Sequence, residues 1–304
     1  MTHRPHPNVR SLALCAVGAL ALVAPSAGQA QENPMRQAPH AHAPSFTEDQ
    51  TLIGIIGGPQ RSANNVARDA WRHPLESLTF WGLQPGLTVL EIDPAGGYWT
   101  EILAPYAAQT GGHYVAAGLP NASDPAASEG ARKARAAFDA KVADKGVYGV
   151  IGYADFSAAA GLNAPPASAD LILTARNIHD WMWTPGAVDR AFAGFAATLK
   201  PGGILAVEEH RADPRPMIPE ARDGYVSEEY VIAAAKRAGL VLDARSEVNA
   251  NPKDGKSHPF GVWTLPPTRR SAPSGQPPNP SFDHARFDAI GESDRMTLRF
   301  RKPM

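Results

Sequence analysis

The feature that most constrains this chain is an alternation. Short apolar runs at Thr88–Ile92, His113–Ala116, Tyr148–Gly152, Asp170–Ala175, Ile204–Glu208 and Leu240–Leu242 are separated by longer stretches, among them Tyr98–Tyr106, Glu129–Ala143, Ala187–Leu199 and Ser227–Ala238, with helical spacing. Strands alternating with helices of about ten residues or more make right-handed βαβ units, and these build a parallel sheet covered by helices on both faces. Asp170-Leu171-Ile172-Leu173 is mostly apolar rather than alternating, as a strand buried on both sides should be. A seventh run, Met296–Arg301, alternates apolar and polar and reads as a half-buried strand. It follows a loop from Leu265 to Pro280 that carries six prolines and few long apolar side chains. A strand arriving so late is expected to pair antiparallel at one sheet edge. The expected class is therefore α/β, Rossmann-like: a mostly parallel seven-stranded sheet with an antiparallel edge strand.

The N-terminus reads differently. Arg4 and Arg10 flank the apolar run Leu12–Ala24, and Ala27-Gly28-Gln29-Ala30 follows. This is the pattern of a secretory signal cut after Ala30, which implies a periplasmic or secreted protein. The apolar run is shorter than the ~20 residues a bilayer anchor needs, so no stable membrane anchor is expected after cleavage. Cys15, the one cysteine, lies inside the run behind Leu14 and leaves with it, so thiol chemistry and thiolate metal sites are excluded. The chain has 29 basic and 30 acidic residues, and losing Arg4 and Arg10 leaves 27 against 30, a net charge of −3. That balance carries no basic footprint for a nucleic acid or an anionic membrane.

Residues 31–45 are polar and proline-bearing and read as a flexible leader. His40 and His42 within it fall short of the four ligands of a structural metal site, and no metal is expected. Thr47 with Gln50 is a capping-box pattern for a helix through Ile56. Residues 46–304 are expected to form a single domain, with the proline-rich loop at 265–280 before the last strand.

In open α/β sheets ligands bind outside the carboxyl ends of the strands, where the strand order reverses. That singles out Glu91-Ile92-Asp93-Pro94-Ala95-Gly96-Gly97 after the first strand, Tyr153-Ala154-Asp155-Phe156 after the third, Thr174-Ala175-Arg176-Asn177-Ile178-His179-Asp180-Trp181 after the fourth, and Glu208-Glu209-His210-Arg211 after the fifth. Glycines in the first of these let a backbone approach a ligand closely; a tight strand-to-helix turn would look much the same. His179 is a candidate base because its ordinary pKa lies near working pH, with a hydrogen-bonded loop histidine as the other reading. Glu209 and His210 form either a second candidate pair or an ion-paired edge. Trp181 and Trp183 line a pocket or pack in the core. The segment Asn251–Phe260 is a candidate lid, and Asn121-Ala122-Ser123 fits a glycan sequon. No GxSxG elbow, P-loop or HExxH helix is present in the sequence.

Taken together these loops, with Leu199-Lys200-Pro201-Gly202-Gly203, Arg72–Leu78, Gly97–Tyr106 and Ala289–Met296, resemble the class I S-adenosylmethionine-dependent methyltransferases, in particular the signal-bearing bacterial ones. The resemblance covers roughly residues 60 to 303. It implies that Glu91, Asp93, Ala95, Gly96 and Gly97 hold the methionine and ribose of S-adenosylmethionine. It places Asp155 on the adenine amino group with Phe156 beside the ring, and Arg176 among the cofactor contacts. Asn177 and His179 fall where substrate meets the reactive methyl, and Glu209 and His210 join them as candidate catalytic groups. Two positions depart from the family: its first two loop glycines are Asp93 and Ala95, and the second strand ends in Ala116-Ala117-Gly118-Leu119 without the acid that grips the ribose. The expectation is an exported methyltransferase acting on a small molecule. The same departures fit a repurposed fold serving as a periplasmic ligand-binding protein. A nicotinamide-dependent oxidoreductase is a third reading, weakened by the missing acid.

Overall fold

The computed structural model describes residues 49–121, 127–214 and 216–304. The signal-like segment, the leader, Thr47, and Ala122 and Ser123 of the sequon lie outside them. The strands are β1 (Thr88–Ile92), β2 (His113–Ala117), β3 (Ile151–Ser157), β4 (Gly161–Asn163), β5 (Ala169–Ala175), β6 (Leu199–His210), β7 (Val241–Ser246), β8 (Pro259–Val262) and β9 (Arg295–Arg301), and all but β4 and β8 overlap an apolar run. All but β8 join one sheet in the order β4-β3-β2-β1-β5-β6-β9-β7. Strands β3, β2, β1, β5 and β6 are mutually parallel. The α/β, Rossmann-like class is as expected.

Several details are not. The sheet has eight strands rather than seven, because three-residue β4 pairs antiparallel with the end of β3. The late antiparallel strand is not at an edge: β9 runs between β6 and β7. Burial explains the order. Met296, Thr297, Leu298 and Phe300 are all buried, on both faces of the sheet, whereas β7 alternates exposed and half-buried residues and tolerates the rim. The third strand begins later than expected. Asp144 caps a short helix, Lys145–Tyr148, and Gly149 at φ 67° turns the chain into β3, so Tyr153-Ala154-Asp155-Phe156 lies within the strand rather than after it. The first helix, Gln50–Ile56, is capped by Asp49, whose carboxylate accepts from Leu52 N at 3.0 Å.

Alternate residues of the central strands face opposite cores. Leu171 and Leu173 of β5 pack with Trp81, Ile102, Leu103 and Tyr106 of helices Pro74–Trp81 and Thr100–Thr110. Ile172 packs instead with Phe192 and Phe195 of helix Ala187–Thr198. A strand with no polar face must be sandwiched in this way. From β1 the chain steps outward to β2 and β3, then returns to place β5 and β6 on the other side of β1. The strand order therefore reverses between β1 and β5, and the crevice there is where a ligand site is expected.

Candidate active site

A cavity of about 230 Å³ opens at that reversal, walled by the loop after β1, by Arg176, Asn177, His179 and Asp180 after β5, by His210 at the end of β6, and by Glu292 and Ser293 before β9. Trp263, Pro266 and Pro267 close it from outside. The proline-rich loop thus begins as a cavity wall. The proposed lid, Asn251–Phe260, is pinned: Asn251 is buried and donates to Ile290 O and Glu292 O, and Asp254 accepts from Tyr225 and Asp294 N.

The β1 loop keeps the backbone shape of a glycine loop at its non-glycine positions. Asp93 has φ 48° and Ala95 φ 45°, both in the left-handed region that costs an ordinary residue roughly 1–2 kcal/mol. Such strain persists where the surroundings hold it, and it gathers at ligand sites. Gly97 shares this left-handed backbone at φ 76°, where any side chain would be strained, and a Cβ there would also push aside the Lys141 side chain. Glu91 turns inward, accepting from Thr100 Oγ1 at 2.8 Å and Tyr114 Oη at 2.6 Å, and burial raises its pKa to about 7.

Asp93 occupies an informative place. Its Oδ1 lies 2.0 Å from where a Cβ on Gly118 would fall, so its carboxylate lies against the end of β2. A carboxylate thus stands at the end of β2, although β2 itself ends without an acid. Burial raises its pKa to about 6, opposed by a hydrogen bond from Trp181. Beyond Gly118 a second, more open cavity of about 840 Å³ is lined by Leu119, Pro120, Asp155 and Phe156. Asp155 is exposed there, paired through the backbone with Asn163. Phe156 packs in the core, its ring 5.1 Å from Trp181 and 6.1 Å from Phe195, so Trp181 is a core residue as well.

His179 and Glu209 meet. His179 Nδ1 lies 2.9 Å from Glu209 Oε1, and both side chains are buried. Glu209 is no ion-paired edge: Oε2 accepts from Ile178 N at 2.7 Å and His179 N at 3.3 Å, and Oε1 accepts from His210 N at 2.8 Å. These bonds fix the imidazole with Nδ1 toward the carboxylate and leave Nε2, 3.6 Å from Asp180 Oδ1, as the nitrogen free for proton transfer. Burial alone would lower the His179 pKa, but the Glu209 charge and hydrogen bond raise it above 6.5. His210 is pushed the other way, well below 6.5, by burial and by the charges of His179, Arg176, Arg295 and Arg72, and its Nδ1 lies 2.5 Å from Ser293 Oγ. Ligand atoms of His179, Glu209 and His210 lie within 4.8 Å of one another, a spacing a metal could use. The four donors already on Glu209 favour the reading as a hydrogen-bonded dyad. Asn177 is a brace: its amide donates to Ile92 O at 3.0 Å and Thr174 Oγ1 at 3.2 Å, joining the ends of β1 and β5.

Sequence reasoning missed an ionic cluster beside the dyad. Glu292 accepts from Arg68 Nε at 2.6 Å and Arg72 Nε at 3.0 Å, and lies 3.1 Å from Arg295 Nη1. Arg295 also donates to Glu208 Oε1 at 2.6 Å. Arg176, expected among the cofactor contacts, belongs here: its backbone N donates to Glu208 O, and its charge acts on Glu208 and Glu292. Arg72, Glu208 and Arg295 are essentially fully buried. The signal was in the text already singled out, Arg72–Leu78 and Ala289–Met296, but nothing local joins the two segments.

No family model and no curated protein matches the chain. Among solved structures, the [4+2]-cyclase SpnF aligns with a TM-score of 0.51 at 15% identity over 83% of this chain and 92% of that one. Phosphoethanolamine N-methyltransferase 2 of Haemonchus contortus, solved in complex with S-adenosyl-L-methionine, aligns at TM-score 0.49 and 14% identity over 83% of this chain and 56% of that one. A SAM-dependent methyltransferase from Aquifex aeolicus aligns at TM-score 0.46 and 19% identity over 61% and 89%. At such identities the likeness is one of fold, and a cyclase stands beside methyltransferases in it. The chain has a Rossmann-like α/β fold.

Proposed function

We propose that the protein is an S-adenosylmethionine-dependent methyltransferase, exported through its N-terminal signal and acting on a small molecule. The observation that carries this is the placement of the His179–Glu209 dyad at the β1–β5 crevice, facing a β1 loop that keeps left-handed backbone at Asp93 and Ala95 where the resembled family has glycine. Asp93 lines the cavity that reaches the dyad and lies against Gly118, which lines the cavity that reaches Asp155. That divided shape suits a cofactor with an amino acid at one end and a purine at the other. Ala95, Gly96 and Gly97 would hold its methionine portion, Asp93 its ribose hydroxyls, and Asp155 its adenine amino group.

Bound there, S-adenosylmethionine supplies an electrophilic methyl carbon, activated by the positive sulfur. The chain's own work is positioning and proton handling. His179 Nε2 takes the proton released by the acceptor O–H or N–H as that atom bonds the methyl carbon. Glu209, held by three backbone N–H groups, keeps the imidazole in the tautomer that can accept it.

Calorimetric titration of residues 31–304 with S-adenosylhomocysteine tests the cofactor assignment. Micromolar binding, weakened about tenfold in Asp93→Asn and in Asp155→Ala, is expected. A folded protein that gives no heat at millimolar ligand overturns it and favours the reading as a binding protein for another ligand.

A further inference from the structure

The ionic cluster is short of anions where it faces the cavity. Arg72 is fully buried, and only its Nε has a partner; neither Nη1 nor Nη2 has a hydrogen-bond partner. Arg68 Nη2 and Arg176 Nε are likewise buried and unpartnered. All three side chains line the cavity. The positive charge of Arg176 bears on Arg72 closely enough to help lower its pKa, after burial, to about 9, so like charges are held together. Buried guanidinium nitrogens without acceptors cost several kcal/mol unless something pairs with them.

The acids at hand do not fill the gap. Glu292 is already engaged by Arg68, Arg72 and Arg295; Glu208 gives Oε1 to Arg295, and its buried Oε2, without a partner, is one acceptor oxygen against four unpartnered nitrogens on Arg68, Arg72 and Arg176. Asp93 is held by Trp181 against the end of β2, and Asp180 is half-exposed beside His179. Tyr98 offers Arg72 only its ring face, 4.5 Å from the guanidinium carbon. Planar guanidinium forks with free Nη groups match the paired oxygens of a carboxylate or phosphate.

We propose that Arg68, Arg72 and Arg176 form a subsite for an oxyanion, a carboxylate or phosphate carried by the methyl acceptor. Naming the acceptor rests on the methyltransferase reading; the oxyanion subsite rests on the arginines alone. Position selects the acceptor over the cofactor's own carboxylate. Arg176 follows β5, and the cluster continues to the end of β6 and the start of β9, beside His179, whereas the loop proposed for the cofactor's amino-acid end follows β1. An acid anchored there would hold a neighbouring hydroxyl or amine of the acceptor near His179 Nε2.

The test is calorimetry on the mature chain with inorganic phosphate and with malonate as probes. One anion per chain is expected, weakened about tenfold or more in Arg72→Gln and Arg176→Gln and unchanged in the surface variant Arg237→Gln. Should Arg72→Gln fail to fold, Arg68→Gln, at the cluster's more open side, serves in its place. Binding should persist with S-adenosylhomocysteine saturating. Displacement by S-adenosylhomocysteine but not by 5′-methylthioadenosine, which lacks the amino-acid group, would give the arginines to the cofactor's carboxylate and overturn the acceptor assignment. No binding of either probe at about 10 mM, or binding indifferent to the arginine variants, overturns the subsite itself. If S-adenosylhomocysteine does not bind while phosphate binding still depends on Arg72 and Arg176, the methyltransferase reading fails and the oxyanion subsite stands.

Discussion

Replacing Glu292 by Gln removes the charge that three arginines share while keeping the shape of the side chain. Burial would raise the Glu292 pKa, but Arg295, Arg72, Arg68 and Arg176 overcome it and hold the group at about 2 against 4.5 for the free side chain. Each pKa unit is worth about 1.4 kcal/mol, so the charge stabilises the fold by about 3 kcal/mol at neutral pH. Losing one partner of a buried ion pair costs about 3–5 kcal/mol, in agreement. The sign follows from the depressed pKa. The stabilisation is complete above the unfolded value of 4.5 and disappears as pH falls through 2. Urea denaturation of wild type and Glu292→Gln should therefore differ by about 3 kcal/mol at pH 7, by less at pH 3.5, and by little at pH 2. A difference below about 1 kcal/mol at pH 7, or one equally large at pH 7 and pH 2.5, would refute the ion-pair account.

Glu209→Gln should lower the His179 pKa, since the carboxylate at 2.9 Å is what raises it. Activity that depends on unprotonated His179 rises with pH through that pKa, so in Glu209→Gln the acid limb of the rate profile should move to lower pH; an unmoved limb would separate His179 from the rate. Gly291→Ala should cost roughly 2–4 kcal/mol, because Gly291 has φ 88° and a Cβ there would stand 2.3 Å from the Trp71 ring; a melting temperature within a degree or two of wild type would show that the turn relaxes. Ala95→Gly should raise stability or leave it unchanged despite the added backbone freedom, since it relieves a left-handed alanine at φ 45°, and chemical denaturation reads the sign.

The fold was legible wherever local periodicity and burial agree. β1, β2, β5 and the core of β6 stand close to the apolar runs that announce them, and helix Glu228–Arg237 falls within the helical stretch Ser227–Ala238. β4 was not legible because Gly161-Leu162-Asn163 is too short to show a period. The start of β3 was misplaced because Tyr148 is apolar yet sits in a capped helical turn, and only the turn at Gly149 separates it from the strand. Strand order is a non-local property. Met296–Arg301 alternates as a half-buried strand would, but at its start neighbours on both sides bury the polar residues too: Thr297 is shut in, and Arg295, just before the run, is consumed by Glu208 and Glu292, while Arg299 is half-buried and Arg301 exposed.

That misplaced strand also accounts for what the sequence hid of the site. His179 follows β5 and Glu209 lies in the last residues of β6, both parallel strands, so each is visible as a strand-end candidate, and the adjacency of β5 and β6 brings them together. Glu292 precedes a strand instead, and Arg295 opens it. They reach the carboxyl ends of the parallel strands only because β9 runs antiparallel, and they reach Glu208 because β9 lies directly beside β6, in register His210 with Arg295. An edge strand outside β7 would stand two sheet positions, roughly 10 Å, from β6, too far for Arg295 to bond Glu208 and still leave Glu292 among Arg68 and Arg72. Inserting β9 between β6 and β7 thus joins residues more than 200 positions apart in the chain into one charged wall. The insertion adds one carboxylate, Glu292, and one arginine, Arg295, and so leaves the surplus of Arg68, Arg72 and Arg176 over Glu208 standing beside His179. A site for an acidic acceptor is in this sense a consequence of strand order, carried by no contiguous motif.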